Sequence, residues 1–166
     1  MIKLVAFELD GTIADTIPMC IEAFKQAVSP YASKILSKDD IVKTFGLNEE
    51  GMIKEVVSED WEKALIDFYV KYKEMHTVYI QPFAGIRELI TELKKNSIIV
   101  SLITGKGQRS CDITLHHFEM EALFDSISIG SPDRNTKAES MAERTTGTDA
   151  CCRCEELYRK ECDNIR

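Results

Sequence analysis

IKLVAFELDGTIADT, residues Ile2–Thr16, decides the fold of this 166-residue chain. Its apolar run (Ile2, Leu4, Val5, Ala6, Phe7) reads as a strand buried on both faces, and the run stops abruptly at two carboxylates, Glu8 and Asp10. Side chains two apart on a strand point the same way, so Glu8 and Asp10 are expected to project together from the strand's carboxyl end, where open α/β sheets bind ligands. Gly11 then lets the backbone turn tightly and approach a ligand closely.

Two more strand ends carry chemistry. Ser97–Ile103 (SIIVSLI) is a second apolar run and ends at Thr104-Gly105-Lys106-Gly107, a hydroxyl, two glycines and a cation. Ser126–Ile129 is a short third candidate, followed by Gly130-Ser131-Pro132-Asp133 and then Lys137. Carboxylates, flexible amides beside a hydroxyl, and a lysine are the parts that phosphoryl transfer requires: a nucleophile or metal ligand, donors to phosphate oxygens, and positive charge for the transition state. The expected fold is α/β, a Rossmann-like parallel sheet with helices on both faces.

Residues 17–81, between the first two strands, read almost wholly as helices. Ile17, Ile21, Phe24 and Val28 share one face, and Trp61, Leu65, Phe68, Tyr69 and Tyr72 share another. Ser37 before Lys38-Asp39-Asp40 predicts an N-cap for a helix running towards Phe45. Gln81-Pro82-Phe83-Ala84-Gly85 reads as a return linker, after which Ile86, Leu89, Ile90 and Leu93 mark a helix lying on the sheet. The aromatics of the inserted segment are expected to form its core. His76, His116 and His117 are expected at the surface or partly packed, without catalytic or metal-binding roles.

Bulk properties bound the partners. A composition that is 44% hydrophobic supports one α/β core with a small insertion. The net charge of −7 with no basic cluster argues against nucleic acid or an anionic membrane as partner. No apolar stretch approaches the ~18 residues of a membrane span, and Glu8 and Asp10 interrupt any signal-like apolar region. A cytoplasmic location and reduced cysteines are therefore expected. Oligomeric state is not legible.

FELDGTIADT, LITGK and GSPDRNTKAE resemble the first three motifs of the haloacid dehalogenase-like hydrolases, especially the phosphoglycolate phosphatase and β-phosphoglucomutase-like branch. The resemblance covers about residues 1 to 143. It implies a magnesium-dependent phosphatase that acts on a small phosphorylated metabolite through an aspartyl-phosphate. Carried over by position, Glu8 takes the place of the attacking acid, which also binds the metal. Asp10 protonates the leaving oxygen and later activates water, with its backbone carbonyl also on Mg2+. Thr104 and the Gly105 amide hold the phosphoryl group, Gly11 lies at the substrate loop, and Lys137 offsets charge on nucleophile and phosphate. Asp15 and Thr16 match the exit of the first loop, where an N-cap opening a helix is a sufficient explanation. The implied organisation is an α/β core from residues 1–16 and 82–143, a helical cap at 17–81, and an atypical cysteine-rich tail at 144–166.

The sequence departs from the family pattern twice. Glu8 stands where the family has aspartate, one methylene shorter, and a misplacement of ~1 Å in an attacking atom can cost about a hundredfold. The fourth motif, a Gly-Asp-x-x-x-Asp type loop after another buried strand, is missing: Tyr158-Arg159-Lys160-Glu161 before Asp163 cannot be a buried parallel strand. The tail holds four of the six cysteines (Cys151, Cys152, Cys154, Cys162) and few large apolar residues. It is expected to be poorly ordered, as a frameshifted or truncated end would be. Its cysteines lack the paired spacing of structural zinc sites, so no zinc is expected. These departures set a second expectation beside the enzyme, a catalytically inactive phosphate- or metal-binding relic of the same fold.

Overall fold

The computed structural model describes residues 2–132, without the side chains of 77–79. Lys137, Asp133 and the cysteine-rich tail lie outside the described residues. Among the described residues, three short parallel strands form the sheet: β1 (Leu4–Phe7), β2 (Ile99–Ile103) and β3 (Ser126–Ser128), in the order β1-β2-β3. Leu4 pairs with Ile99 and Phe7 with Leu102, while Ser101 pairs with Ser126. The α/β fold expected from the sequence is thus present, with β2 joining its two neighbours.

Four helices intervene before the return linker: α1 (Ile17–Val28), α2 (Lys38–Val42), α3 (Glu49–Val56) and α4 (Trp61–Tyr79). After the linker, α5 (Ile86–Lys95) leads into β2 and α6 (Gln108–Phe118) leads towards β3. α1 packs along α4 through an edge-on pair of rings, Phe24 and Phe68, whose centroids are 5.8 Å apart. Phe68 in turn stacks on Tyr72 at 5.4 Å, and all three rings are fully buried. Offset and edge-on ring pairs are favoured by the quadrupoles of the rings, beyond the area they bury. The inserted aromatics are therefore packing groups, as the sequence suggested.

Ser37 caps α2 with a reciprocal box: its hydroxyl accepts from the Asp40 N–H, and Asp40's carboxylate accepts from the Ser37 N–H. The helix ends at Val42, short of Phe45.

Several sequence expectations are corrected. Burial on both faces of β1 holds only for Phe7, since Leu4, Val5 and Ala6 are half-buried. β2 begins at Ile99 rather than Ser97, because Asn96 and Ser97 finish α5: both N–H groups return to α5 carbonyls, and Ser97 takes a left-handed φ of 58°. Ile17 leaves the apolar face of α1 at 38% exposure, being the first residue of the helix and a turn beyond the packed contact. On α5 only Ile90 is fully buried, and Leu89 is 48% exposed. His76 is the largest reversal. It is 1% exposed, held where α4 crosses α6, with Nδ1 on the Tyr72 carbonyl and Nε2 on the Thr114 hydroxyl, each at 2.9 Å.

Candidate functional site

The loop leaving β1 is tightly wound. The Ile13 and Ala14 N–H groups both return to the Leu9 carbonyl, the Gly11 N–H donates to the Ala14 carbonyl at 2.8 Å, and Gly11 turns with a φ of 76°. That left-handed backbone is the reason glycine is required there. Leu9, Ile13 and Ala14 are driven fully into the core, which leaves Glu8 and Asp10 half-buried on either side of Leu9. The return linker closes on the same loop, with the Phe83 N–H donating to the Ile13 carbonyl at 2.8 Å.

Thr16 is not the side-chain cap expected of it. It occupies the N-cap position of α1 with helical φ and ψ and makes no cap bond. Its buried hydroxyl instead donates to Asp10 Oδ1.

Across the sheet, Thr104 follows β2 and is almost fully buried, its N–H bonded to the Ser128 carbonyl at 2.9 Å. Its Oγ1 accepts the Lys106 N–H at 3.2 Å. Lys106 then folds its side chain across the strand ends: its Nζ lies 3.4 Å from Asp10 Oδ1, and the residue is 5% exposed. One lysine therefore bridges the Thr104 loop and the Asp10 loop. Gly130, after β3, donates its N–H to the Lys106 carbonyl at 2.8 Å. A Cβ on Gly130 would lie 2.0 Å from the Gly105 carbonyl oxygen, so glycine permits the third loop to touch the second.

Burial alone would lower the pKa of Lys106, but Asp10, with further contributions from Cys20, Tyr72 and Glu49, raises it well above the usual lysine value. An ammonium withdrawn from water must be paired to persist, and this one is. Its Nζ also sits 4.8 Å from the centre of the Tyr72 ring. Burial pushes the Cys20 thiol up to about 11, against the opposing charge of Lys106, so Cys20 stays a thiol at neutral pH.

The inserted helices reach this centre too. Glu49, the first residue of α3, is buried, and its Oε2 accepts the Gly107 N–H at 2.8 Å. Asn48 beside it caps α3 through the Gly51 N–H and donates its own N–H to the Ser131 carbonyl at 3.0 Å. From α4, the Tyr72 hydroxyl meets the Thr114 hydroxyl of α6 at 2.9 Å.

Of the residues singled out by sequence, Asp10, Thr104 and Gly105 come to one end of the sheet, with Glu8 and Gly11 on the same β1 loop. Lys137 lies outside the described residues. Among the described residues, no three His, Cys, Asp or Glu side chains cluster as a ready-made metal site. Sequence reasoning gave no site role to Lys106, Thr16, Glu49, Tyr72 or Cys20. Lys106 stood in the quoted Thr-Gly-Lys-Gly run, and its position two residues past Thr104 was the available signal. In the sequence Thr16 reads as an N-cap and Tyr72 as a packing ring, while Glu49 and Cys20 carry no local mark.

Comparison with known proteins fits this arrangement of strands and loops. The sequence pattern of the haloacid dehalogenase-like hydrolases matches residues 5–145, and the chain belongs to that family. Among named relatives, a protein of Caldanaerobacter subterraneus subsp. tengcongensis, provisionally assigned as pyrophosphatase PpaX, is 25% identical over 132 residues, 80% of this chain and 60% of its own length. Pyrophosphatase PpaX of Bacillus mycoides is 21% identical over 126 residues, 76% of this chain and 59% of its own length. The chain thus spans about 60% of the curated relatives it matches. Among solved structures, CbbY of Rhodobacter sphaeroides in complex with phosphate superposes with a TM-score of 0.65 at 17% identity, covering 78% of this chain and 64% of that one. A phosphoglycolate phosphatase, so named by prediction, from Haemophilus somnus 129pt gives 0.64 at 19% identity, with 81% and 65% covered. At such identities the structures speak for the fold.

Proposed function

We propose that this chain carries a phosphatase site that hydrolyses a small phosphate monoester with magnesium, in the soluble phase of the cytoplasm. The observation that supports the reading is the bridge from Thr104 through Lys106 to Asp10, a hydroxyl, a buried cation and a carboxylate at one sheet end. In this reading Glu8 attacks phosphorus, the bond from phosphorus to the ester oxygen breaks, and Asp10 delivers a proton to that oxygen. Water then attacks the phosphorus of the resulting acyl phosphate, Asp10 takes a proton from it, and the Glu8–phosphorus bond breaks to release phosphate. Thr104 and the Gly105 amide hold the phosphoryl oxygens throughout. Lys137, outside the described residues, would offset charge on the nucleophile and phosphate.

The oxygen donors present suit magnesium, which takes one or two carboxylates together with phosphate and water. Asp10 Oδ1 is already engaged by Lys106 and Thr16, so the Glu8 carboxylate and the other oxygens of Asp10 would hold the ion. When bound, the metal supplies charge stabilisation to the transferring phosphoryl group. The domain division into core (1–16, 82–143) and helical cap (17–81) belongs to the same proposal: Asn48 and Glu49 would close over the site, exclude water and read the substrate.

Glu8 supports a second reading, a relic that binds phosphate or metal without turnover. Its extra methylene displaces the attacking oxygen relative to an aspartate. Hydrolysis of an aryl phosphate by the unaltered chain, lost in Asp10→Asn, supports the enzyme. Phosphate binding without hydrolysis, and with hydrolysis appearing in Glu8→Asp, supports the relic.

A further inference from the structure

Helix α4 packs on α1, α3 and α6, and its inner face buries Ala64, Phe68, Tyr72 and His76. Its outward face carries a stripe of a different kind. With about 100° between successive residues, Glu62, Ile66, Val70 and Lys73 fall within an arc of about 80°. Ile66 is 53% exposed and Val70 51%, on adjacent turns, and Glu62 and Lys73 are exposed charges about one turn beyond them at either end. A single exposed aliphatic needs no explanation. Two branched ones side by side in the middle of a helix do, because they propagate a helix less well than Leu, Lys or Glu and here bury nothing within the chain.

The charges at the ends of the stripe are free for a partner. Lys63 is paired with Asp60 at 2.7 Å and Lys71 with Glu74 at 2.8 Å, whereas Glu62 and Lys73 make no ion pair among the described residues. Along the helix the stripe therefore runs negative, apolar, apolar, positive. That order is its own complement when a second copy is laid antiparallel. With a two-fold axis midway between Ile66 and Val70, Ile66 meets Val70 of the second copy, and Glu62 comes level with Lys73 of the second copy to within about the 1.5 Å rise of one residue. A parallel arrangement would set Glu62 on Glu62 and Lys73 on Lys73. The charges thus select one orientation.

We infer that the outward face of α4 is an isologous interface on which two copies of this chain pair, with their α4 helices antiparallel and Ile66 and Val70 at the centre. The inference is independent of the phosphatase reading. Exposed ion pairs contribute little and the apolar centre is small, so the dimer is weak and its population depends on concentration.

The test is analytical ultracentrifugation of the full chain at micromolar to submillimolar concentrations, in reductant so that the tail cysteines form no bridges between copies. The unaltered chain is expected to pass from monomer towards dimer as concentration rises. Val70→Glu is expected to raise the dissociation constant about tenfold or more, and Ile66→Lys repeats that arm with the opposite charge in case the first variant disturbs the helix. Glu62→Lys and Lys73→Glu should each weaken pairing by a similar factor, and Glu62→Lys/Lys73→Glu should return it to within about threefold of the unaltered chain, because antiparallel pairing exchanges the two charges. A monomer at every concentration overturns the proposal and leaves the stripe to an unlike protein or to solvent. A dimer indifferent to Val70→Glu and Ile66→Lys lies elsewhere on the surface and overturns it too. So does a dimer that tolerates the single reversals or that the double exchange fails to restore.

Discussion

Among the described residues, Lys106 is a buried cation whose charge interacts with Asp10, Cys20, Tyr72 and Glu49 together. Asp10, the partner left behind, is half-buried and keeps its Thr16 hydrogen bond, so losing the cation costs less than for a fully buried pair, on the order of 2 kcal/mol. Lys106→Met should therefore lower unfolding stability by about that amount in urea titrations, and a loss below about 1 kcal/mol would contradict the pairing. His76 makes a different residue-scale prediction. Burial lowers its pKa from 6.5 to about 4, so between those values the unfolded chain binds more protons than the folded one. Its contribution to stability is complete above pH 6.5 and is lost as pH falls towards 4. Glu49, whose pKa is raised, tilts stability the other way, so the His76 effect is read as a difference. Melting temperatures of the unaltered chain should fall relative to those of His76→Gln across that window, and parallel curves would contradict the assignment.

At the scale of elements, the legible parts are those whose cause is local. Ser37 was readable because a capping box is written in four consecutive residues, and Ser37→Ala should cost about 1 kcal/mol in denaturant unfolding. The start of β2 was not readable. Ser97 belongs to an apolar run, but the α5 C-terminus claims its backbone first. Thr16 sits where an N-cap is expected, and the attraction of Asp10 for its hydroxyl decides otherwise. Gly130 marks the closest approach of two elements. Gly130→Ala must part the loops after β2 and β3, since its Cβ would overlap the Gly105 carbonyl. Overpacking of this kind costs typically 1–3 kcal/mol. The same change should also weaken phosphate binding through the Gly105 amide, and a stable variant with unaltered binding would show that the loops tolerate separation.

At the scale of the molecule, three parallel strands among the described residues bring their loops to one end, and the inserted helices touch those loops through Asn48 and Glu49. Asp10 and Thr104 were legible from sequence because strand ends in such sheets gather at one edge, whatever lies between them. Glu49 was not, because its partner Gly107 is 58 residues away and nothing local distinguishes a cap carboxylate aimed at a helix end from a solvated one. His76 was hidden for the same reason: its burial depends on how α4 crosses α6, and a lone histidine in a helix carries no sign of that. The central claim is that these loops make a phosphatase site whose acid is Asp10. The most direct measurement is magnesium-dependent phosphate release from an aryl phosphate by the unaltered chain, Glu8→Asp, and Glu8→Asp/Asp10→Asn. If Glu8 is the attacking group, as proposed, Glu8→Asp should raise the rate by about tenfold, a fraction of what ~1 Å of realignment can restore, and Asp10→Asn should abolish it. A rate that persists undiminished with Asp10→Asn would contradict the account.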